Sequence, residues 1–136
     1  MTTKEKLEKG KELYYKSATQ IQGIALLKEA MQEGSEDAAL VLGMHYLELK
    51  AYVAANECFE FGASKGQKDC LWFLAHAYGT PGKGKEVDHI KAYDLMLQAI
   101  EKGCEAEEWV VEMFKREAEE QRKKENSLFK RLFGRR

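Results

Sequence analysis

Residues 53–66 read VAANECFEFGASKG. Counting back from the closing Gly66, small residues stand four and eleven places away (Gly62 and Ala55), and apolar ones seven, eight and thirteen places away (Phe59, Cys58 and Val53). The same order closes on Gly34, 32 residues earlier, with Ala30, Gly23, Leu27, Leu26 and Ile21 in the corresponding places. It closes again on Gly103, 37 residues later, with Ala99, Ala92, Met96, Leu95 and Ile90. Apolar and small residues at such spacings make a helical stripe. Their return at a period between 20 and 50 residues marks a helical repeat.

Counting forward from the same glycines gives a second helix. Its columns are Leu40, Trp72 and Trp109, then Val41, Phe73 and Val110, then Leu42, Leu74 and Val111. Gly43 and Ala75 follow as a small position, and Tyr46 and Tyr78 stand three residues further on. The third copy puts Glu112 and Lys115 there, as a capping helix with no further repeat upon it requires. Toward the amino terminus Gly10 takes the Gly43 position, with Leu7, Leu13, Tyr14 and Tyr15 around it. Helices are therefore predicted near 4–16, 21–33, 37–50, 52–65, 69–78, 89–102 and 106–124. Small residues let antiparallel helices approach, large ones fill the space between them, and the closing glycines adopt the left-handed conformation that ends a helix. Asp37 and Asp69 are the expected caps of the helices they precede.

Composition agrees with a single helical domain. The chain has 136 residues, 44% hydrophobic and 33% charged, with one proline (Pro81), and its mean hydropathy of −0.56 excludes a membrane-spanning class. The net charge of −1 hides a division. Residues 122–136 hold seven cations against Glu125 alone, so the tail carries +6 and the preceding 121 residues carry −7. Two parts of opposite sign should attract different partners. The start, Met-Thr-Thr-Lys-Glu-Lys, lacks the apolar stretch of a secretory signal, so the expected location is cytoplasmic. Cys58, Cys70 and Cys104 are odd in number, widely spaced and embedded in apolar helical patterns, which suits reduced, buried thiols in helices better than a disulfide framework.

The columns resemble the Sel-one-like repeat family, a relative of the tetratricopeptide repeat. The residues that carry the resemblance are Leu42-Gly43-x-x-Tyr46, Ala54-Ala55 and Gly66 in one hairpin, and in the next Leu74-Ala75-x-x-Tyr78, Gly82, Gly84, Val87-Asp88, Lys91-Ala92, Ala99 and Gly103. The likeness covers about residues 21–114. The loop after Tyr46 departs from the pattern by lacking glycine, and Cys58 and Leu95 replace its usual aromatic. The expected fold is all-α: a short right-handed α-solenoid of about three helix-turn-helix repeats plus a C-terminal capping helix. What the resemblance implies is a scaffold that binds other proteins.

The remaining motifs are weak. Gly79-Thr80-Pro81-Gly82-Lys83-Gly84-Lys85 fits the first seven places of a phosphate-binding loop, but Glu86 replaces the Ser or Thr that binds magnesium, and the loop follows a helix. A nucleotide-dependent regulator is the reading this loop would carry. His45, His76 and His89 lack partners at metal-ligand spacing, and no serine sits in a nucleophile elbow. No catalytic residue, metal site or cofactor is expected, and the chain reads as a non-enzyme. Trp72, Trp109, Tyr46 and Tyr78 read mainly as packing between helices, with one or two of them also lining the groove as the alternative. Helical phase instead nominates Met44, His45, Glu48, Leu71 and His76 for partner contact on an acidic concave face.

The chain divides into a repeat domain (1–114), a charged helical extension (115–126) and a basic amphipathic tail (127–136), with Asn126-Ser127 as a break or new cap. In the tail Leu128, Phe129, Leu132 and Phe133 share one helical face, while Lys130, Arg131, Arg135 and Arg136 decorate the other. Phe129, Lys130, Arg131 and Phe133 are its contact candidates: the tail folds back on the repeats or stays disordered, docks into a partner or second copy, or touches an anionic membrane or nucleic acid. The expected partner is another, basic, protein. Specific nucleic-acid recognition is not expected, because the acidic body opposes it, and membrane contact is expected only through the tail. Narrower alternatives are an immunity or antitoxin protein that masks a basic toxin, and a membrane-surface adaptor.

Overall fold

The computed structural model describes residues 1–134, so Arg135 and Arg136 of the basic tail lie outside the described residues. The described chain is all-helical. In order come α1 (Thr3–Tyr14), a short 3-10 turn (Ser17–Thr19), α2 (Gln20–Gln32), α3 (Glu36–Glu48), α4 (Tyr52–Ser64), α5 (Lys68–Gly79), α6 (His89–Glu101) and α7 (Glu108–Phe133). Helices α1/α2, α3/α4 and α5/α6 pack as hairpins, and each hairpin packs on the next through α2/α3, α4/α5 and α6/α7. Together they form a short helical solenoid. Helix α1 also touches α3, and α3 touches α5, without contact of similar extent among α2, α4 and α6. Helices α1, α3 and α5 thus form the inner row, which α7 joins where Phe114 meets His76.

The repeated columns interlock within each hairpin. A Cβ on Gly10 would meet the Leu27 side chain, and one on Gly43 would lie under 3.0 Å from three ring carbons of Phe59. Leu27, Phe59 and Met96, the residues seven places before each closing glycine, are all 1% exposed or less. The large residue of the second helix therefore sits over the small residue of the first. At the first hairpin the backbones themselves touch: a Cβ on Gly23 would collide with Tyr14 N and Cα and with Gly10 O. Buried residues gather in two clusters, one around Leu27, Leu42 and Cys58 and the other around Phe59, Leu74 and Met96, and Tyr46 packs against both.

Each hairpin ends as its glycine requires. Gly34, Gly66 and Gly103 have φ of 105°, 81° and 112°, and the paired bonds Ser35 N→Ala30 O and Gly34 N→Met31 O recur as Gln67 N→Gly62 O with Gly66 N→Ala63 O, and as Cys104 N→Ala99 O with Gly103 N→Ile100 O. The glycine-free loop after Tyr46 makes the same motif. Lys50 takes the left-handed conformation at φ 59°, while Lys50 N donates to Leu47 O and Ala51 N to Tyr46 O.

Four expectations are corrected. The caps of α3 and α5 are Ser35 and Gln67, whose side chains accept from Ala38 N and Cys70 N; Asp37 and Asp69 fall inside the first turns. The column thirteen before each glycine is not core: Ile21 is 83% and Val53 65% exposed. Thirteen residues turn a helix through about 220°, onto the opposite face. Cys104 lies half-buried in the loop after α6 and not in a helix. Finally, α7 runs through Asn126-Ser127 without a break.

Two stability effects follow. Gly23→Ala forces the backbones of α1 and α2 apart, and is expected to destabilise the chain by about 3 kcal/mol, the upper end for overpacking, in urea unfolding. Lys50→Gly relieves a strained side chain at a position glycine adopts freely, and is expected to stabilise by roughly 1 kcal/mol in the same measurement.

Candidate functional site

The inner row is lined by positions six and ten residues after each closing glycine: Leu40 and Met44 on α3, Trp72 and His76 on α5, Trp109 and Met113 on α7. Met44 is 42%, Trp109 63% and Met113 38% exposed. Between α3, α4 and α5 this row opens into a groove of about 520 Å³. Its aromatic walls are Tyr52, Phe59, Trp72 and Phe73, and Phe59 and Phe73 stack at 4.9 Å and 13°. Leu47 and Glu48 close the groove from α3, and Thr80 and Lys83 from the loop after α5. Such a concave, mostly apolar lining with a few polar points is the form binding sites take.

His76 is a polar group set among aromatic rings in this wall. Its ring lies 4.9 Å from that of Trp72 and meets Phe114 edge-on at 5.2 Å. Its Nε2 is buried with no hydrogen-bond partner, and burial pushes the imidazole pKa below its usual 6.5. An unpaired buried nitrogen costs about 1–3 kcal/mol. The site thus holds a neutral imidazole between two aromatic rings.

The nominated residues separate into groups. Met44 and Glu48 lie one turn apart on the exposed face of α3, and Glu48 and His76 line the same groove. His45 faces α1 instead: its Nδ1 lies 3.2 Å from Tyr14 Oη, with the two rings perpendicular at 5.5 Å. It ties two helices together. Leu71 is 3% exposed and belongs to the core, so no partner reaches it. Trp72 is half-buried in the groove wall, and Trp109, expected in packing, stands exposed with its Nε1 donating to Glu107 at 2.6 Å. The signal for Trp109 and Met113 was present in the columns, since they repeat Trp72 and His76.

Charge on this face is uneven. Glu48 shares the groove with Lys50 and Lys83, so the groove itself is apolar and not acidic. Negative charge gathers beside it, where Asp69 and Glu105 share a cleft with Trp72 and Lys68, and Glu107 accepts from Trp109 Nε1.

The loop between α5 and α6 is strapped onto α4. Asn56, 4% exposed, donates its Nδ2 to Lys83 O at 2.8 Å. Lys83 Nζ donates to Tyr52 Oη at 3.2 Å and lies over that ring, whereas Lys85 pairs with Glu60. The two lysines that a phosphate loop would aim at one anion are committed to different partners. Cys58 and Cys70 are buried, and burial pushes their thiols up to about 11 and about 12, so both stay protonated and unreactive. The described cysteines are free. Among the described residues no group of three metal-ligating side chains occurs, and no helix is long and apolar enough to cross a membrane.

The tail candidates Phe129, Lys130, Arg131 and Phe133 all stand exposed on the last turns of α7, away from this groove and not folded back on the repeats.

His76 has a pH signature. Folding favours its neutral form, so the unfolded chain takes up the proton first as pH falls below 6.5. The contribution is whole above that pH and is lost as pH drops toward the lowered value. His76→Phe keeps the aromatic contacts and removes the titration. Its melting temperature relative to the natural chain is expected to rise between about pH 7.5 and pH 5; an unchanged difference would show that His76 is not held neutral.

Compared with known proteins, the chain matches no family model, no curated protein and no solved structure.

Proposed function

We propose that this chain is a non-enzymatic protein-interaction scaffold of the Sel-one-like repeat kind, working in the cytoplasm, and that its inner row holds a segment of another protein. The observation that carries this reading is the groove walled by Tyr52, Phe59, Trp72 and Phe73, with Met44, Trp109 and Met113 exposed at the positions of α3 and α7 that repeat Trp72 and His76. A monomeric surface leaves large apolar residues singly, not in a row along a concavity. Tryptophan and methionine at such a row supply area at low ordering cost and adapt to the side chains they meet.

The recognised segment has two parts by complementarity. Apolar or aromatic anchors enter the groove between Leu47, Phe59 and Trp72, and basic residues meet Asp69 and Glu105 in the cleft beside Trp72. Three free cysteines and buried protonated thiols fit a reducing compartment.

Selection of random peptides against the full chain tests this. Enriched peptides should combine an aromatic or aliphatic anchor with nearby Lys or Arg, and Met44→Glu with Trp109→Ala should weaken them at least tenfold, the loss of one or two hot-spot contacts. No enrichment, or binding that survives both substitutions, would overturn the proposal.

A further inference from the structure

The column ten places before each closing glycine holds Ile24, Asn56 and Tyr93. Ile24 and Tyr93 pack against the two core clusters. Asn56 breaks the column: at 4% exposure it is the one buried polar residue among those described. Packing alone favours an apolar side chain here, because a buried amide costs free energy at each end that finds no partner. The exception falls in the hairpin that walls the groove. Tyr52, Asn56 and Phe59 follow one another along α4 at steps of four and three, and all three line the groove.

The amide is used at one end. Its Nδ2 donates to Lys83 O at 2.8 Å, and because a carbonyl only accepts, that bond fixes which end of the side chain is nitrogen. The loop presses on the same end: a Cβ on Gly84 would stand 3.0 Å from Nδ2 and 3.0 Å from Tyr52 Cβ. The amide therefore stays in this orientation, and Oδ1 is left without a hydrogen bond among the described residues. That oxygen is not sealed, since the sealed side-chain atom without a partner is His76 Nε2. In a residue packed this closely and lining the groove, an open oxygen is open to the groove.

Charge and shape choose what meets it. Oδ1 only accepts, so its complement is an N–H or O–H donor. A cationic donor is disfavoured, because Lys83 Nζ stands on the neighbouring Tyr52, 3.2 Å from its Oη and 4.8 Å from the ring centre. Lys83 has no ion pair among the described residues, and Lys50 adds a second cation in the same lining against Glu48. The donor is thus neutral. A small hydroxyl or amide side chain would leave the rings of Phe59, Trp72 and Phe73 uncovered, whereas an indole or a phenol brings apolar faces to those walls and a donor at its rim. At about 520 Å³ the groove has the size of a site that encloses such a ring.

We propose that the groove seats an aromatic ring carrying a neutral hydrogen-bond donor, the tryptophan or tyrosine of a partner segment, and that Asn56 Oδ1 selects it over phenylalanine and the aliphatic residues. The inference rests on the groove being the seat of a partner segment, and narrows that reading. A ring without a donor strips water from Oδ1 and gives nothing back, which is how a buried polar group discriminates between isosteres. Asn56 has two tasks, holding the loop through Nδ2 and reading the ligand through Oδ1.

Titration of the isotopically labelled full chain with indole and with benzofuran, the same bicyclic ring with oxygen in place of the N–H, tests this by amide chemical shifts around the groove. Indole is expected to bind about fivefold or more tightly than benzofuran, and in Asn56→Leu the two probes are expected to bind alike. A purely structural role for Asn56 would weaken both probes in that variant and leave their ratio unchanged. Peptides selected on the natural chain should carry tryptophan or tyrosine as anchor and weaken by a similar factor when it is replaced by phenylalanine. Equal binding of the two probes to the natural chain, a preference that survives Asn56→Leu, or shifts confined to residues outside the groove would overturn the proposal. Selected peptides anchored by leucine, isoleucine or phenylalanine would overturn it while leaving the scaffold reading standing, whereas a selection that enriches nothing would take both.

Discussion

The close approach of helices at small residues is the constraint on which the rest depends. Where α1 crosses α2, Gly10 and Gly23 bring the backbones into contact, and a single added carbon on Gly23 has nowhere to go. The next hairpin relaxes this by one atom, with Ala55 in place of the second glycine, and gains the Phe59 ring lying on Gly43. The third uses Ala75 and Ala92, both fully buried. Each crossing fixes the distance at which its hairpin closes, and so fixes where α3, α5 and α7 present their outer faces. The inner row is a consequence of those crossings.

The hairpins were legible in the sequence because the crossing requires the same residue sizes three times, and three closing glycines set the register. Ends of elements were less so. Gly34 and Gly66 consume one residue in the left-handed conformation, and the very next residue with an accepting side chain, Ser35 or Gln67, caps the following helix before an aspartate is reached. Asp37 and Asp69 then lie in the first turn, where a negative charge is favoured by the helix dipole. Asn126-Ser127 resembled a break, yet each residue costs a helix only a few tenths of a kcal/mol to about 0.7 kcal/mol relative to alanine. The strong helix formers on both sides carry α7 through.

The site was half legible. Met44, Glu48 and His76 follow from helical phase, but Leu71 and His45 sit one step off that phase, and a single step of about 100° moves a residue from groove to core or to a neighbouring helix. Trp109 shows the opposite error. Its column mate Trp72 is screened by His76 and the groove wall, and the same residue type on α7 has no following helix to screen it. Composition cannot tell these two tryptophans apart; their place in the stack does.

Exposed apolar residues on this protein are of two kinds, and the difference lies in how they are arranged. Ile21, Leu49 and Val53 are exposed on separate helices or loops, a dispersion every folded chain shows because polar atoms cannot cover its whole surface. Met44, Trp109 and Met113 fall in the two columns that Trp72 and His76 bring into the groove, and Leu128, Phe129, Leu132 and Phe133 fall on one continuous helix side. Both alignments are extensions of patterns that elsewhere in the molecule are buried: the first continues the groove, the second the seam of α7 on α6. A pattern built for burial and left open at its end exposes apolar area that the same pattern covers elsewhere in the chain. The first lies beside a groove and the second projects along a helix end, so the two differ in shape as well as in place.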